Sequence, residues 1–181
     1  MRRGVVAAAV ATLGLAAGCT SHHATAAAAA QKGPLILSSP AFAAGARMPI
    51  TYGCTGANNP PPLTWQGATP AGTAAWAIVL QDLDVNPKPW VQWVVSDIPV
   101  SSRVLPSTSL PAGALVSAAS NGTVGYVGAC PPSGAVHRYR FTIYALKAKL
   151  GLPPAARPAT AVPAITADSL SSASVTGTFA R

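Results

Sequence analysis

The chain has 181 residues, with 12 lysines and arginines against 4 acidic residues for a net charge of +8, and it carries 18 prolines and 16 glycines. Its cations are scattered, with no run of five like charges and no nucleic-acid-binding motif, which sets nucleic acid aside as a partner. Prolines and glycines spread throughout exclude long helices and favour short strands joined by ordered loops, on a length sufficient for one domain with its own core.

The first residues, MRRGVVAAAVATLGLAAGC, read as a secretory signal over residues 1–18. Two arginines lead into an uncharged apolar stretch too short to span a bilayer comfortably, and small residues precede Cys19. The end of the segment, Leu15-Ala16-Ala17-Gly18-Cys19, resembles the lipobox of bacterial lipoproteins, with Ala16 where leucine is usual. That resemblance implies a lipid on the Cys19 sulfur, anchoring an exported chain to the extracytoplasmic face of the cell membrane without a transmembrane helix. The alternative is an ordinary cleaved signal with a chance cysteine. Residues 19–33 then form a lipidated start and a tether without apolar periodicity, and its His22 and His23 lack further ligands at a metal-binding spacing. Export makes anionic lipid or cell-wall polymer the natural target of the basic excess.

Residues 34–181 form the domain. Residues 35–38 read as a short edge strand. The proline- and glycine-rich run that follows carries Phe42, Ile50, Tyr52, Leu63 and Trp65, expected to pin an extended path against the core. Residues 74–80 and 91–98 are apolar runs of strand length and read as central strands, and 114–120 as a weaker one. In residues 138–146, Tyr139, Phe141, Ile143 and Ala145 alternate with Arg138, Arg140, Thr142 and Tyr144, the clearest strand in the chain. A proline-rich connection over 150–163, a short helix over 164–171 and a closing strand over 175–179 complete a mostly antiparallel β domain. With Cys19 spent on lipid, Cys54 and Cys130 remain as a disulfide in an oxidising compartment or as two buried thiols.

Asp82 and Asp84 are two of the four acidic residues, and they stand together after the apolar run WAIVL. In so acid-poor a chain the pair suggests a ligand pocket, although aspartates at a strand end also cap turns, and a lone histidine such as His137 is more often structural than catalytic.

Four segments in one order, SPAFAAGARMPITYGCTGANNPPPLTW, QDLDVNPKPWVQWVVSDIP, NGTVGYVGACPPSGAVHRYRFTIYAL and TGTFAR, resemble the phosphatidylethanolamine-binding protein family in its bacterial Raf-kinase-inhibitor-like branch. The resemblance implies an antiparallel β-sandwich with Greek-key connections and a few short peripheral helices. It also implies a small pocket for phosphate-like or carboxylate anions and no cofactor. Asp82 and Asp84 match the family's aspartates, Trp93 its tryptophan, Pro131 and Pro132 its turn, and His137 and Tyr139 its later motif. Leu83 stands in place of the intervening proline, Gln92 in place of a histidine, and Ala129 in place of a proline. The expected ligand contacts are Asp82, Asp84, Gln92, Trp93, Gly128, Pro131, His137 and Tyr139.

In this reading the carboxylates accept hydrogen bonds and so orient donors toward the ligand, with His137 and Tyr139 in contact and backbone amides of 125–130 adding neutral donors. Gln92 keeps a donor but removes a titratable group, predicting a weaker and less pH-dependent site. The expectation is a membrane-anchored, non-enzymatic binding protein for a small anion or phospholipid headgroup. Alternatives are an inhibitor of an envelope protease or hydrolase, which would make an envelope protein its partner, and a metal-dependent hydrolase built on Asp82, Asp84 and His137. A Ser133-His137-Asp triad lacks a nucleophile elbow, and an envelope interaction protein with a vestigial pocket completes the set.

Overall fold

The protein is described as a computed structural model covering Met1 and residues 33–181. Apart from Met1, the signal segment, Cys19 and the tether with His22 and His23 lie outside the described residues. The elements are β1 (Ile36–Ser38), β2 (Leu63–Gln66), β3 (Ala75–Asp82), β4 (Trp90–Pro99), β5 (Val104–Leu105), β6 (Leu115–Val116), β7 (Val136–Leu146), α1 (Pro158–Asp168) and β8 (Ser169–Ala180). One 3-10 turn spans Ile50–Tyr52.

Two antiparallel sheets result, β1-β2-β5 and β6-β4-β3-β7-β8, as the mainly β expectation requires. Between them lies the main core, where Leu37, Leu63, Trp65 and Leu105 meet Trp76, Ile78, Leu80, Trp93, Phe141 and Ile143. The other face of the large sheet is covered too, since Ala77, Val79, Val91 and Val94 pack with Ala161 and Ile165 of α1. A strand buried on both faces has no polar side to display, which is why β3 reads as an unbroken apolar run. The residues facing the helix from β3 are the smaller ones, leaving room for its backbone.

Strand β4 departs from simple alternation twice. Its partners on β3 step from Ile98 to Val95 across Trp76 and Ile78, and from Trp93 to Val91 across Leu80 and Gln81, so each step inserts an extra residue. At the first, Asp97 adopts a positive φ of 56°, and its buried carboxylate accepts the Leu150 and Gly151 amides at 2.8 and 2.9 Å. At the second, Gln92 is the extra residue. Such bulges re-aim the side chains beyond them.

Several sequence expectations shift. The helix begins at Pro158, because a proline is favoured in a first turn whose amide needs no partner, and it ends at Asp168. Strand β8 then takes the remainder, its serine-rich first half hidden from a pattern search by its exposed, weakly apolar positions. The weak strand at 114–120 contracts to Leu115–Val116. Strands β2 and β5 are too short to announce themselves among prolines. Phe42, Leu63 and Trp65 are buried as expected, whereas Ile50 is 62% exposed and pins nothing.

Candidate functional site

The site lies where the inward-facing row of the large sheet runs past the end of the core. On β7, Tyr139 and His137 continue the row of Phe141 and Ile143; on β3, Asp82 continues that of Leu80. Direct cross-strand partners share a face. Asp82 is paired with Tyr139 on one side and Trp90 on the other, which brings these three side chains to one end of the sandwich.

Asp82 is 3% exposed and its carboxylate is fully engaged by neighbours. Oδ1 accepts the Asp84 amide at 3.0 Å, and Oδ2 meets His137 Nδ1 at 2.8 Å. Because an ionised carboxylate only accepts, Nδ1 carries the imidazole proton, and Nε2 is left for an outside partner. His137 stacks at 28° on Tyr139, ring centroids 6.5 Å apart.

Asp84 points elsewhere. It accepts the Arg138 amide at 2.7 Å and its guanidinium at 2.5 Å. The Arg138 side chain, and next its amide, hold the Asp84 carboxyl at about 2, below its ordinary 3.8. Asp84 therefore braces the loop after β3 against β7.

Tyr139 is buried, and its hydroxyl makes no well-formed hydrogen bond among the described residues, although the Asp82 carboxylate and the Cys130 amide lie beside it. Burial, followed by the charge of Asp82 and a hydrogen bond to its carboxylate, pushes its phenol well above the ordinary range, while the Cys130 amide acts in the opposite sense. The phenol stays a neutral donor whose nearby acceptor, Asp82, is already shared with His137 and the Asp84 amide. An orphaned polar group of this kind costs stability unless a ligand meets it.

The remaining wall is the 125–130 loop and its turn. The Val127 amide donates to the Gln92 carbonyl at 3.1 Å and the Gly128 amide to Asn58 Oδ1 at 2.8 Å, so two of the expected loop donors are already engaged. Pro131 is buried beside Cys130. A disulfide joins Cys130 to Cys54, whose amide donates to the Ala129 carbonyl at 3.0 Å.

Asp82, His137, Tyr139 and the Cys130 turn therefore converge. Gln92 is buried, its side-chain carbonyl unpartnered. Trp93 is core, edge-to-face with Tyr126 at 5.5 Å, and lines a separate cavity of about 250 Å³ with Pro60 and Leu110. The aromatic beside Asp82 is instead Trp90, 39% exposed, which sequence reading missed because alternation counted through the Gln92 bulge assigns β4 the wrong faces beyond it. Among the described residues no group of three or more histidines, cysteines and carboxylates could hold a metal.

The chain matches the family model described as phosphatidylethanolamine-binding protein over residues 38–180. A protein of Mycobacterium tuberculosis that carries the name lipoprotein LppC is 42% identical over 147 residues, covering 81% of this chain and 72% of the relative. A UPF0098 protein of Methanothermobacter thermautotrophicus is 38% identical, over 78% of this chain and 95% of its own. Among solved structures, Escherichia coli YbcL, described as a member of the mammalian PEBP family, superposes with a TM-score of 0.77 at 29% identity, covering 82% of this chain and 99% of that one.

Proposed function

The chain belongs to the phosphatidylethanolamine-binding protein family, and from that membership we propose that it is an exported, lipid-anchored, non-enzymatic binding protein whose pocket takes a small phosphate-like or carboxylate anion, free or as a phospholipid headgroup. In this proposal residues 1–18 are the signal, Cys19 carries the lipid and the name of the mycobacterial relative supports the anchor. The ligand contacts are His137 Nε2, the Tyr139 hydroxyl and the backbone of the Cys130 turn, with Trp90 at the rim.

One observation carries the reading: a buried tyrosine hydroxyl without a well-formed partner, stacked beside an imidazole whose other nitrogen is fixed by a carboxylate. The hydroxyl is a donor, and Nε2, an acceptor in the neutral tautomer, donates to an anion only in the imidazolium form. The metal-dependent alternative is disfavoured by the same geometry, because Asp82 is spent on His137 and Asp84 on Arg138. Both carboxylates would have to abandon internal donors to serve as ligands.

Calorimetric titration with inorganic phosphate and phosphorylethanolamine tests the reading. Binding is expected from the wild-type chain, with clear loss in His137→Ala. Gln92→His is expected to tighten binding and steepen its dependence between about pH 5 and 8, where an imidazole titrates. Loss of binding in Gln92→Ala together with full retention in His137→Ala would sink the proposal.

A further inference from the structure

We propose that the pocket selects an oxyanion that keeps a hydrogen of its own, inorganic phosphate in preference to sulfate or a phosphodiester headgroup, and that the Gln92 side-chain carbonyl accepts that hydrogen. The inference rests on the anion-pocket reading above and deepens it. Its own support is an acceptor that the fold buries and leaves unused.

Gln92 is 5% exposed, and its Oε1 has no hydrogen-bond partner among the described residues. A buried carbonyl without a donor is costly, and native proteins keep few of them. Alternation along β4 sets the direction of the side chain. Val91 packs in the cluster against α1, so Gln92, the next residue, faces the inner side of the sheet. Trp93 lies in the inner core as well, because the bulge interrupts alternation between these two residues. Gln92 falls between the Leu80–Trp93 and Gln81–Val91 pairs, which places it between the levels of Leu80 and Asp82 on their shared face. It thus flanks Asp82 from β4 as Tyr139 does from β7, the two backbones standing two strand spacings, about 10 Å, apart. The 125–130 wall is fastened to the same residue, since the Val127 amide donates to its main-chain carbonyl at 3.1 Å.

The floor built this way is rich in acceptors. Asp82 already takes the Asp84 amide at 3.0 Å and His137 Nδ1 at 2.8 Å. The nearby β7 arginines are directed elsewhere: Arg138 to Asp84, and Arg140 to Gln81, which lines a separate cavity with Pro158 and Val162 of α1. The remaining acids lie outside the site, Asp97 accepting the Leu150 and Gly151 amides and Asp168 the Ala148 amide. An entering anion meets the Tyr139 hydroxyl, and an imidazolium at His137, as donors. It also meets Gln92 Oε1 as an acceptor, and a neutral His137 adds a second. An oxyanion stripped of hydrogen sets lone pair against lone pair at these atoms. Hydrogenphosphate brings an O–H to the carbonyl while its other oxygens take the donors, so one ion satisfies groups of both kinds. Sulfate has the same shape and charge but no hydrogen near neutral pH, and the phosphate of a diester headgroup has none either. A site that pairs a ligand hydroxyl rejects analogues lacking it far more strongly than an apolar wall rejects a change of size.

Calorimetry near neutral pH with inorganic phosphate, sulfate and glycerophosphorylethanolamine tests this. The wild-type chain is expected to bind phosphate at least about tenfold more tightly than either competitor. Gln92→Met, which keeps the length of the side chain without its carbonyl, is expected to bring phosphate and sulfate within about twofold of each other, with its urea midpoint unchanged or raised. The wild-type comparison stands whether or not the variant folds. Phosphate and sulfate bound alike by the wild-type chain overturn the inference and leave the anion pocket standing, whereas binding of none of the three overturns the pocket reading itself. Discrimination that survives in Gln92→Met overturns the role of Gln92, and glycerophosphorylethanolamine bound as tightly as phosphate overturns the exclusion of the headgroup.

Discussion

Tyr139 gives the proposed pocket a signature that a purely structural tyrosine would not have. Removing an unmet buried hydroxyl from the unliganded protein is close to neutral, whereas removing it from a ligand contact costs a hydrogen bond. Tyr139→Phe is therefore expected to leave the unliganded stability unchanged, or to raise it by up to about 1 kcal/mol, while weakening phosphate binding about tenfold. Urea denaturation with and without phosphate separates the two effects. Asp84 makes a second prediction, with the opposite dependence on ligand. Arg138 holds its carboxyl at about 2 in the folded chain, below the ordinary 3.8. A depressed carboxyl stabilises the fold above its unfolded value and loses that contribution as the pH falls through its folded one. Stability is thus expected to decline on acidification from 3.8 toward 2, and Asp84→Asn should flatten that limb in urea midpoints while leaving phosphate affinity near neutral pH intact. The Asp82 and Asp84 pair stood out in a chain with so few acids, whereas His137 was brought to it by the family resemblance; the structure joins His137 to Asp82 at 2.8 Å. Trp90 was not, because nothing local distinguishes it from Trp93.

At the scale of elements, the 125–130 loop is held by contacts from distant sequence. The Cys54–Cys130 bridge closes a separation of 76 residues. By the chain-entropy account such a crosslink is worth on the order of 4 kcal/mol, and reduction is expected to lower the denaturation midpoint accordingly and to weaken phosphate binding as the Cys130 turn loosens. Paired urea curves and titrations with and without a thiol reductant check both. The same loops meet at Gly53, where a β-carbon would overlap the ring of Phe179, the β8 partner of His137. Its backbone φ of −117° suits any residue, so glycine is required there for space alone. Gly53→Ala is expected to cost about 1–3 kcal/mol by overpacking and to reduce phosphate affinity by displacing the wall behind His137. The pairing of the two cysteines was one of two readings open from the sequence. The closeness of Gly53 to Phe179 was not readable at all, since no local pattern reports which loop a glycine will touch.

Across the whole molecule, every described carboxylate is committed internally while cations remain on the surface. Anion capture is consequently expected to be fast at low salt, with an association rate that falls several-fold as the Debye length shortens from about 30 Å at 0.01 M to about 8 Å at 0.15 M, and a dissociation rate that hardly changes. Stopped-flow mixing with phosphate at the two ionic strengths measures this. The three-layer plan was partly readable for a related reason of scale. Strands β3, β4 and β7 advertise themselves because their burial is extensive, whereas β2, β5 and the start of β8 acquire their strand character only from the neighbours they pair with. Bulges belong to that second class, and the one at Gln92 has an effect out of proportion to its size. It fixes the parity of β4: Trp93 and Trp90 reach the inner face although an odd number of positions separates them, and Val91 reaches the helix. Deleting that single residue would therefore exchange inside for outside at the start of the strand, withdrawing Trp90 from its place beside Asp82.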